Sequence, residues 1–196
     1  MVPSSRLAVM KPIFLIGYMG CGKTTLGEAL ARQMGLRYID LDDYIESWCG
    51  RPIVEIFASD GEQHFRQLET AALAQVSAMA DVVVGCGGGT PCHSDNMSLM
   101  NQAGTTVWLT TSAERITARL LLPEQKSKRP KIKHLPDDAV LPLVRDDLER
   151  RSPYYSQATL QFDSTDIETG PATVRTARRL AAVLGRDRVG VNKTER

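Results

Sequence analysis

The chain has 196 residues, of which 42% are hydrophobic and 24% are charged, a balance typical of one globular domain with a sizeable core. Its 24 Lys and Arg residues and 23 Asp and Glu residues give a formal net charge of +1, which argues against a protein that mainly coats nucleic acid or membranes. The four cysteines form no CxxC pair and have no zinc-type spacing, so we expect free thiols and a cytoplasmic location.

Short apolar runs alternate with helical patterns along the chain. The predicted strands are 13–16, 38–41, 82–85, 106–110 and 159–162, and several are apolar on both faces, as buried parallel strands are. The predicted helices are roughly 23–34, 60–79, 93–103, 112–121, 137–151 and 171–184. This alternation predicts an α/β fold in which helices cover both faces of a parallel sheet. We expect a single domain over 12–184, with flexible ends at 1–11 and 185–196.

The loop between the first strand and the first helix carries the sequence GYMGCGKTT, residues 17–25. It matches the pattern G-x-x-x-x-G-K-[ST], in which glycines let several backbone N–H groups point towards phosphate oxygens. Lys23 would add a cation for the outer phosphates and Thr24 a hydroxyl group for Mg²⁺, at the positive end of the following helix. The sequence therefore predicts binding of a nucleoside triphosphate.

The rest of the sequence separates the classes of protein that use such a loop. It contains no N-K-x-D motif for guanine, and the third strand ends in VVVGCGGGT rather than in the Asp-Glu pair of ATPase machines. These features argue against activation of water. They favour transfer of a phosphoryl group to an acceptor held elsewhere in the protein.

Two carboxylates stand at the carboxyl end of the second strand, where the ligand crevice of an open α/β sheet lies. Asp40 and Asp42 flank Leu41, and the strand period of two would point both side chains to the same side. One could orient Mg²⁺, and the other could accept a proton from a hydroxyl group. An equally good interpretation is a helix N-cap followed by acidic residues in the first turn.

Further polar groups follow in the sequence DGEQHFRQLE, residues 60–69. Asp60 with Gln63 resembles a capping box, which predicts that a helix begins here. Arg66 and Glu69 are spaced i, i+3 on that helix, either as part of a site or as a solvated surface ion pair. The triplet GGG at 87–89 allows close approach of the backbone to a ligand, although a flexible loop would contain the same residues.

A basic segment, LPEQKSKRPKIKHLP at 122–136, interrupts the alternation of strands and helices. Its length and its flanking prolines predict a surface lid, and Arg129 has the planar fork that suits a transferred phosphate. A solvated basic loop or a nucleic-acid patch is the alternative interpretation. Arg150 and Arg151 precede SPYY at a predicted helix end, where they could bind an anion or only complement the helix dipole.

Taken together, the segments GYMGCGKTT, DLD, GRPIVEIFASDGEQHFRQLE, GGGT, KRP and RRSPYY resemble the shikimate kinase family over roughly residues 12–163. The resemblance implies a three-layer α/β/α P-loop kinase fold, with a five-stranded parallel sheet in the order 2-3-1-4-5 and a lid. It implies phosphorylation of the 3-hydroxyl group of shikimate by ATP with Mg²⁺, on the route to chorismate and aromatic amino acids. It also implies a cytoplasmic monomer.

The resemblance implies a role for each matching residue. The catalytic residues would be Asp42, as the base, with Lys23 and Arg129. The substrate site would consist of Asp42, Phe57, Phe65, Arg66, Glu69, Gly88 and Arg151, with the two arginines holding the carboxylate. The nucleotide would contact Gly20, Cys21, Gly22, Lys23, Thr24, Thr25, Arg119 and Arg129, and Thr24 and Asp40 would lie at the metal.

The lid departs from the family pattern, because Arg129 and Pro130 are followed by KIKHLPDDAV, where family members often have apolar residues. A kinase for another small hydroxy acid, such as gluconate, is one alternative, since two arginines would suit any carboxylate. A nucleotide-dependent RNA-binding module that uses KSKRPKIK is another. The net charge near zero and the lack of interleaved aromatic residues argue against it, so we expect no nucleic-acid or membrane partner.

Overall fold

A parallel sheet organises the fold. The structure, a computed structural model, describes residues 9–191 of the chain. Within this range five strands pair in parallel in the order β2-β3-β1-β4-β5. They are β1 Ile13–Ile16, β2 Arg37–Asp40, β3 Val82–Gly85, β4 Thr105–Thr110 and β5 Leu160–Asp163. The observed order confirms the predicted topology.

Helices connect the strands and cover the sheet. In chain order they are α1 Lys23–Met34, α2 Leu41–Cys49, α3 Ile53–Ser77, α4 Asn96–Ala103, α5 Ala113–Leu120, α6 Pro123–Lys126, α7 Pro130–Lys133, α8 Asp137–Tyr155 and α9 Gly170–Val191. A short 3₁₀ helix, Thr90–Cys92, follows β3. None of the helices described is long and apolar enough to cross a membrane.

The alternation of side chains along β1 builds a hydrophobic core on each side of the sheet. Phe14 and Ile16 lie in a core shared with α2, α3 and α4, whereas Ile13 and Leu15 lie in a core shared with α1 and α9. All four side chains are buried, as the continuous apolar run predicts, and each contributes about 1.5–3 kcal/mol by leaving water. The three-layer α/β/α architecture is thereby confirmed.

The boundary between β2 and α2 differs from the prediction. β2 ends at Asp40 rather than at position 41, because the Asp40 carboxylate accepts a hydrogen bond from the Asp42 N–H (3.1 Å) and caps α2. The helix-cap interpretation of this acidic pair is therefore correct. Asp42 lies in the first turn of a helix, so the strand period does not determine where its side chain points.

The predicted helix start at position 60 is only partly right, because it marks the second arm of a helix that begins earlier. α3 begins at Ile53 and bends at Gly61, whose φ of 81° and ψ of 171° interrupt the helical backbone. Asp60 therefore lies inside α3 rather than at its start. Its carboxylate accepts a hydrogen bond from Arg51 (2.5 Å). The bend divides α3 into two arms, and the second arm carries Arg66.

The later elements extend further than predicted. The lid segment contains two short helices, α6 and α7, instead of an irregular loop. α8 continues past position 151 to Tyr155. α9 continues to Val191, so the predicted tail boundary at 185 falls within a helix. Most of the predicted N-terminal extension, residues 1–8, and the last residues of the tail, 192–196, lie outside the described residues.

Candidate active site

The phosphate loop lies between β1 and α1, at the carboxyl end of the central strand of the sheet. Gly17, Gly20 and Gly22 have φ angles of 139°, 79° and 98°, a backbone conformation that other residues rarely adopt. Gly22 is also the N-cap residue of α1, so the loop leads directly into a helix N-terminus. The backbone has the form that anion-binding loops require.

Lys23 and Thr24 supply the first polar side chains of the site. The Lys23 ammonium group donates hydrogen bonds to the carbonyl oxygens of Gly17 (2.8 Å) and Tyr18 (3.0 Å), which hold it across the loop. The Thr24 hydroxyl group donates to a carboxylate oxygen of Asp40 at 3.4 Å and so links the loop to the end of β2. A cation and two oxygen ligands therefore stand beside the phosphate loop.

Cys21 differs from its neighbours in the loop. Its side chain is buried in the core that the sheet shares with α1 and α9. Its N–H donates to the Tyr18 carbonyl (3.2 Å), and its own carbonyl accepts a hydrogen bond from Ser164 (2.8 Å). The Cys21 side chain therefore packs the loop, and the nucleotide contact that the sequence resemblance implied for Cys21 stays a prediction.

A crevice of about 710 Å³ opens beside the phosphate loop. The predicted site residues in its lining are Gly20, Gly22, Lys23, Thr24, Thr25, Asp40, Asp42, Gly88, Arg119 and Arg129. Its volume is typical of small-molecule sites, and its lining comes largely from loops at the carboxyl ends of the strands. The other predicted site residues, Cys21, Phe57, Phe65, Arg66, Glu69 and Arg151, are not part of this lining.

Asp42 has an acid–base property unlike that of an ordinary surface carboxylate. Although its side chain is accessible to water, desolvation by the surrounding protein raises its pKa from 3.8 to about 6, with help from the negative charges of Asp40 and Glu69. The positive charge of Lys23 opposes this effect because it favours the ionised form. A carboxylate with a pKa near 6 is ionised at neutral pH, yet basic enough to accept a proton.

The glycine triplet at 87–89 brings the predicted acceptor groups together. A methyl group added at the first glycine would lie 3.2 Å from a carboxylate oxygen of Asp42. One added at the second would lie 3.2 Å from a guanidinium nitrogen of Arg151, and one added at the third would lie 3.1 Å from a guanidinium nitrogen of Arg66. Because the triplet has no side chains, one carboxylate and two arginines can approach the same short loop.

Arg66 is held by two glutamates of α3. Its guanidinium group donates to Glu69 (2.9 Å) and to Glu62 (3.0 Å). Glu69 is only 1% exposed and accepts a second hydrogen bond from the buried Thr90 hydroxyl group (2.5 Å). The pair of Arg66 and Glu69 is therefore not the solvated surface pair that its spacing could also have indicated.

Aromatic rings support both arginines. The Arg66 guanidinium carbon lies 5.2 Å from the ring centre of Phe65, and that of Arg151 lies 5.4 Å from the ring centre of Tyr18. The rings of Phe65 and Phe57 pack together with their centres 4.6 Å apart. Arg151 is not in the last turn of α8, so the helix dipole alone does not account for it.

Two further arginines line the crevice from α5 and from the lid. Arg129 donates to the main-chain oxygen (2.7 Å) and the side-chain oxygen (2.8 Å) of Gln125. Arg119 donates to the Gly20 carbonyl (3.1 Å) and to Glu168 (2.9 Å). Arg119 therefore ties the phosphate loop to the segment that follows β5, while Arg129 is held within the lid.

A family model for shikimate kinase matches residues 19–181, which include most of the phosphate loop, the glycine triplet and the lid. The chain belongs to the shikimate kinase family. The resemblance seen in the sequence motifs is thereby confirmed, and the matched range extends beyond them into α9.

Individual shikimate kinases are similar to this chain over nearly their whole length. That of Parabacteroides distasonis is 43% identical over 160 residues, which are 82% of this chain and 91% of that protein. The crystal structure of a shikimate kinase from Bacteroides thetaiotaomicron has a TM-score of 0.86 at 39% identity, and the match covers 91% of this chain and 99% of the other. A shikimate kinase from Acinetobacter baumannii, solved in complex with shikimate, has a TM-score of 0.75 at 29% identity. The match covers 95% of this chain and 96% of the other.

Several residues of this shikimate kinase site could not be found by sequence reasoning. The Tyr18 hydroxyl group donates to Asp147 (2.8 Å) across 129 positions of the chain, a distance that no spacing rule spans. Glu168 lines the crevice from a segment without a motif. The Tyr155 hydroxyl group donates to the Gly88 carbonyl (2.6 Å), and only its place in the SPYY segment gave a signal for it.

Proposed function

We propose that this chain phosphorylates the 3-hydroxyl group of shikimate with ATP, giving shikimate 3-phosphate and ADP on the route to chorismate. The observation that carries the proposal is the glycine triplet at 87–89, which lies against Asp42, Arg66 and Arg151 beside a phosphate loop. Shikimate is a small anion with three hydroxyl groups. Its site requires cations for the carboxylate and an acceptor for a hydroxyl proton, and the triplet is next to both.

On the acceptor side, Asp42 takes the hydroxyl proton, because its pKa of about 6 suits a base at neutral pH. Arg66 and Arg151 bind the carboxylate of shikimate through their planar forks. Glu69 keeps Arg66 in place through the 2.9 Å hydrogen bond. Gly88 offers its backbone to a hydroxyl group of the substrate.

The apolar side of the substrate site is the ring pair of Phe57 and Phe65. Phe65 is buried, whereas Phe57 is exposed and free to contact a ligand. The two rings lie next to Arg66, whose guanidinium group is within cation–π distance of Phe65. Apolar rings here exclude water from the carboxylate clamp and so strengthen its charge interactions.

On the nucleotide side, Lys23 and Arg129 bind the outer phosphates of ATP and stabilise the charge of the transferred group. Arg119 contacts the adenine. Backbone N–H groups of the loop hold the remaining phosphate oxygens, and we assign this role to Gly20, Gly22, Lys23, Thr24 and Thr25. Phosphoryl transfer requires little covalent participation by the protein, so positioning and charge supply most of the acceleration.

We also propose that Thr24 and Asp40 hold Mg²⁺. In kinases this ion keeps several waters and takes one or two protein ligands together with phosphate oxygens. The hydroxyl group of Thr24 and the carboxylate of Asp40, 3.4 Å apart, fit that requirement. Among the side chains described, residues 9–185, no group of three or more His, Cys, Asp or Glu could hold a metal ion. Bound Mg²⁺ would offset the negative charge of the phosphates.

We expect this enzyme to act as a monomer without a nucleic-acid partner. Two of the five lysines and arginines of the lid are engaged within the protein, since Lys126 pairs with Asp137 and Lys131 with Asp147. The lid therefore offers a polyanion fewer cations than its composition suggests. The monomeric state and the cytoplasmic location stay predictions.

A coupled ADP-release assay with shikimate, with gluconate and without acceptor tests the proposed function. We expect ADP release that requires both shikimate and Mg²⁺, with gluconate close to the acceptor-free background. Activity restricted to gluconate would overturn the assignment of the substrate. Salt-sensitive RNA binding without shikimate turnover would instead favour the nucleic-acid alternative.

A further inference from the structure

The lid carries a lysine where the family resemblance leads us to expect an apolar residue. Lys131 is the second residue after Arg129 and lies in α7. Its side chain is about half-exposed, and its ammonium group donates a hydrogen bond to Asp147 of α8. The additional charge in the lid therefore has a specific partner inside the protein.

Asp147 is a buried carboxylate that serves several donors. Its side chain is 2% exposed and accepts hydrogen bonds from Lys131, from Arg150 and from the Tyr18 hydroxyl group (2.8 Å). Burial alone would raise its pKa, but the hydrogen bonds from Lys131 and Tyr18 and the charges of Lys131 and Arg151 lower it. Asp147 is therefore ionised at neutral pH, and its buried charge depends on these donors.

Tyr18 connects Asp147 to two proposed functional groups. The Tyr18 carbonyl accepts a hydrogen bond from the Lys23 ammonium group (3.0 Å). The Tyr18 ring lies beneath the guanidinium group of Arg151 at 5.4 Å. A displacement of Tyr18 would therefore disturb its contacts with both Lys23, proposed to bind phosphate, and Arg151, one arginine of the proposed carboxylate clamp.

An apolar contact strengthens the link between the lid and the phosphate loop. Ile132, which follows Lys131 in α7, is fully buried in a cluster with Tyr18 and with Val140 and Val144 of α8. Two adjacent lid residues, one apolar and one charged, thus fasten α7 to the surroundings of Tyr18. The N-cap residue of the same short helix is the lid arginine that lines the crevice.

We propose that Asp147 is a positioning residue that couples the lid to the phosphate loop, through its simultaneous hydrogen bonds to Lys131 and Tyr18. The inference rests on the proposed function, because it assumes that Arg129 and Lys23 act on the transferred phosphate. Asp147 touches neither substrate. It fixes α7, and with it Arg129, relative to the loop that holds Lys23.

The matched pair Lys131→Met and Lys133→Met tests this inference. Both lysines belong to α7, and each substitution removes one charge from it. No ion pair of Lys133 occurs among the described side chains, whereas Lys131 pairs with Asp147. We expect Lys131→Met to lower kcat for shikimate-dependent ADP release about tenfold, with little change in KM for shikimate. A tenfold loss is about the size expected when one charge-assisted hydrogen bond is removed. Lys133→Met stays within about twofold of the parent.

Two further measurements separate positioning from a merely structural contribution. Lys131→Arg, which restores a cation, recovers most of the lost kcat. Hydrogen exchange of the α7 amides becomes faster in Lys131→Met than in Lys133→Met, because the charged contact no longer holds the helix. Tyr18→Phe removes the other hydrogen bond to Asp147 without emptying the core, so it should lower kcat as Lys131→Met does.

The outcomes distinguish this inference from the proposed function. Equal kcat and equal α7 exchange in the two methionine variants would overturn the coupling while leaving the kinase assignment intact. Absence of shikimate-dependent ADP release from the unmodified enzyme would overturn the proposed function. In that case the exchange measurement still decides whether Asp147 holds the lid.

Discussion

Asp42 provides the sharpest test of the site, because its neighbour offers a matched control. Asp43 also lies in the first turn of α2, is exposed, and does not line the crevice. Substituting Asn for either residue removes one charge with little change in size. We expect Asp42→Asn to lower kcat by about 10²- to 10⁴-fold, the usual contribution of a general base. Asp43→Asn stays within about twofold of the parent.

The pH dependence of kcat/KM tests whether Asp42 is the general base. Asp42 must be ionised to accept a proton, and its pKa is about 6. As the pH falls through about 6, kcat/KM for shikimate should therefore fall tenfold for each further pH unit in the coupled ADP-release assay. Asp43→Asn keeps this acid limb, and Asp42→Asn loses it along with most of its activity.

The same pKa predicts an effect of opposite sign on stability. Because the pKa of Asp42 in the folded protein lies above 3.8, the folded protein binds the proton more tightly than the unfolded chain, and stability falls as pH rises from 3.8 to about 6. The full pKa difference between 3.8 and about 6 corresponds to about 3 kcal/mol of folding free energy. Access of water to the side chain reduces this to about 1 kcal/mol. Asp42→Asn should raise the melting temperature at pH 7 by about 2–4 °C.

Two kinetic results and one thermal result would refute this reasoning about Asp42. A kcat for Asp42→Asn within about tenfold of the parent would exclude its role as the base. An acid limb that persists in Asp42→Asn would belong to another group. The thermal measurement adds a check that does not depend on turnover, since a melting temperature that falls at pH 7 would contradict the raised pKa itself.

Of two further substitutions, Gly88→Ala should affect substrate binding but not folding, whereas Cys21→Ala should affect stability but not nucleotide binding. Gly88→Ala should fold normally and raise KM for shikimate about tenfold, because its methyl group would lie 3.2 Å from the flexible end of Arg151. An unchanged KM would contradict the role of Arg151 in binding the carboxylate. Cys21→Ala should cost about 1 kcal/mol in urea unfolding, because its side chain is buried, and leave KM for ATP unchanged. A raised KM for ATP with unaltered stability would indicate that the Cys21 side chain contacts the nucleotide.

The sheet and the phosphate loop were predictable because their signals are local. Alternate residues of β1 enter different cores, so a four-residue apolar run is sufficient to report a strand buried on both faces. The loop after it requires positive φ angles at fixed positions, and glycine meets that requirement visibly in the sequence. Neither inference needs a contact between distant parts of the chain.

Element boundaries near the acceptor site were less predictable because one residue meets three requirements at once. Asp40 ends a strand, caps the next helix through Asp42, and faces Thr24 across the crevice. A strand period accounts for only the first of these properties. Likewise, Gly61 lies between two helical arms, so the acidic residue before it resembled a cap although a helix had already begun at Ile53.

The charges of the lid show why partners cannot be inferred from composition. Read from the sequence, the basic segment is a set of equivalent cations, yet in the structure its members differ in what they contact. Lys126 and Lys131 pair with aspartates and hold the segment in place. Arg129 donates to the neutral oxygens of Gln125, and within the described residues no carboxylate pairs with it. Its charge therefore remains available to an anion in the crevice, as the role proposed for Arg129 requires.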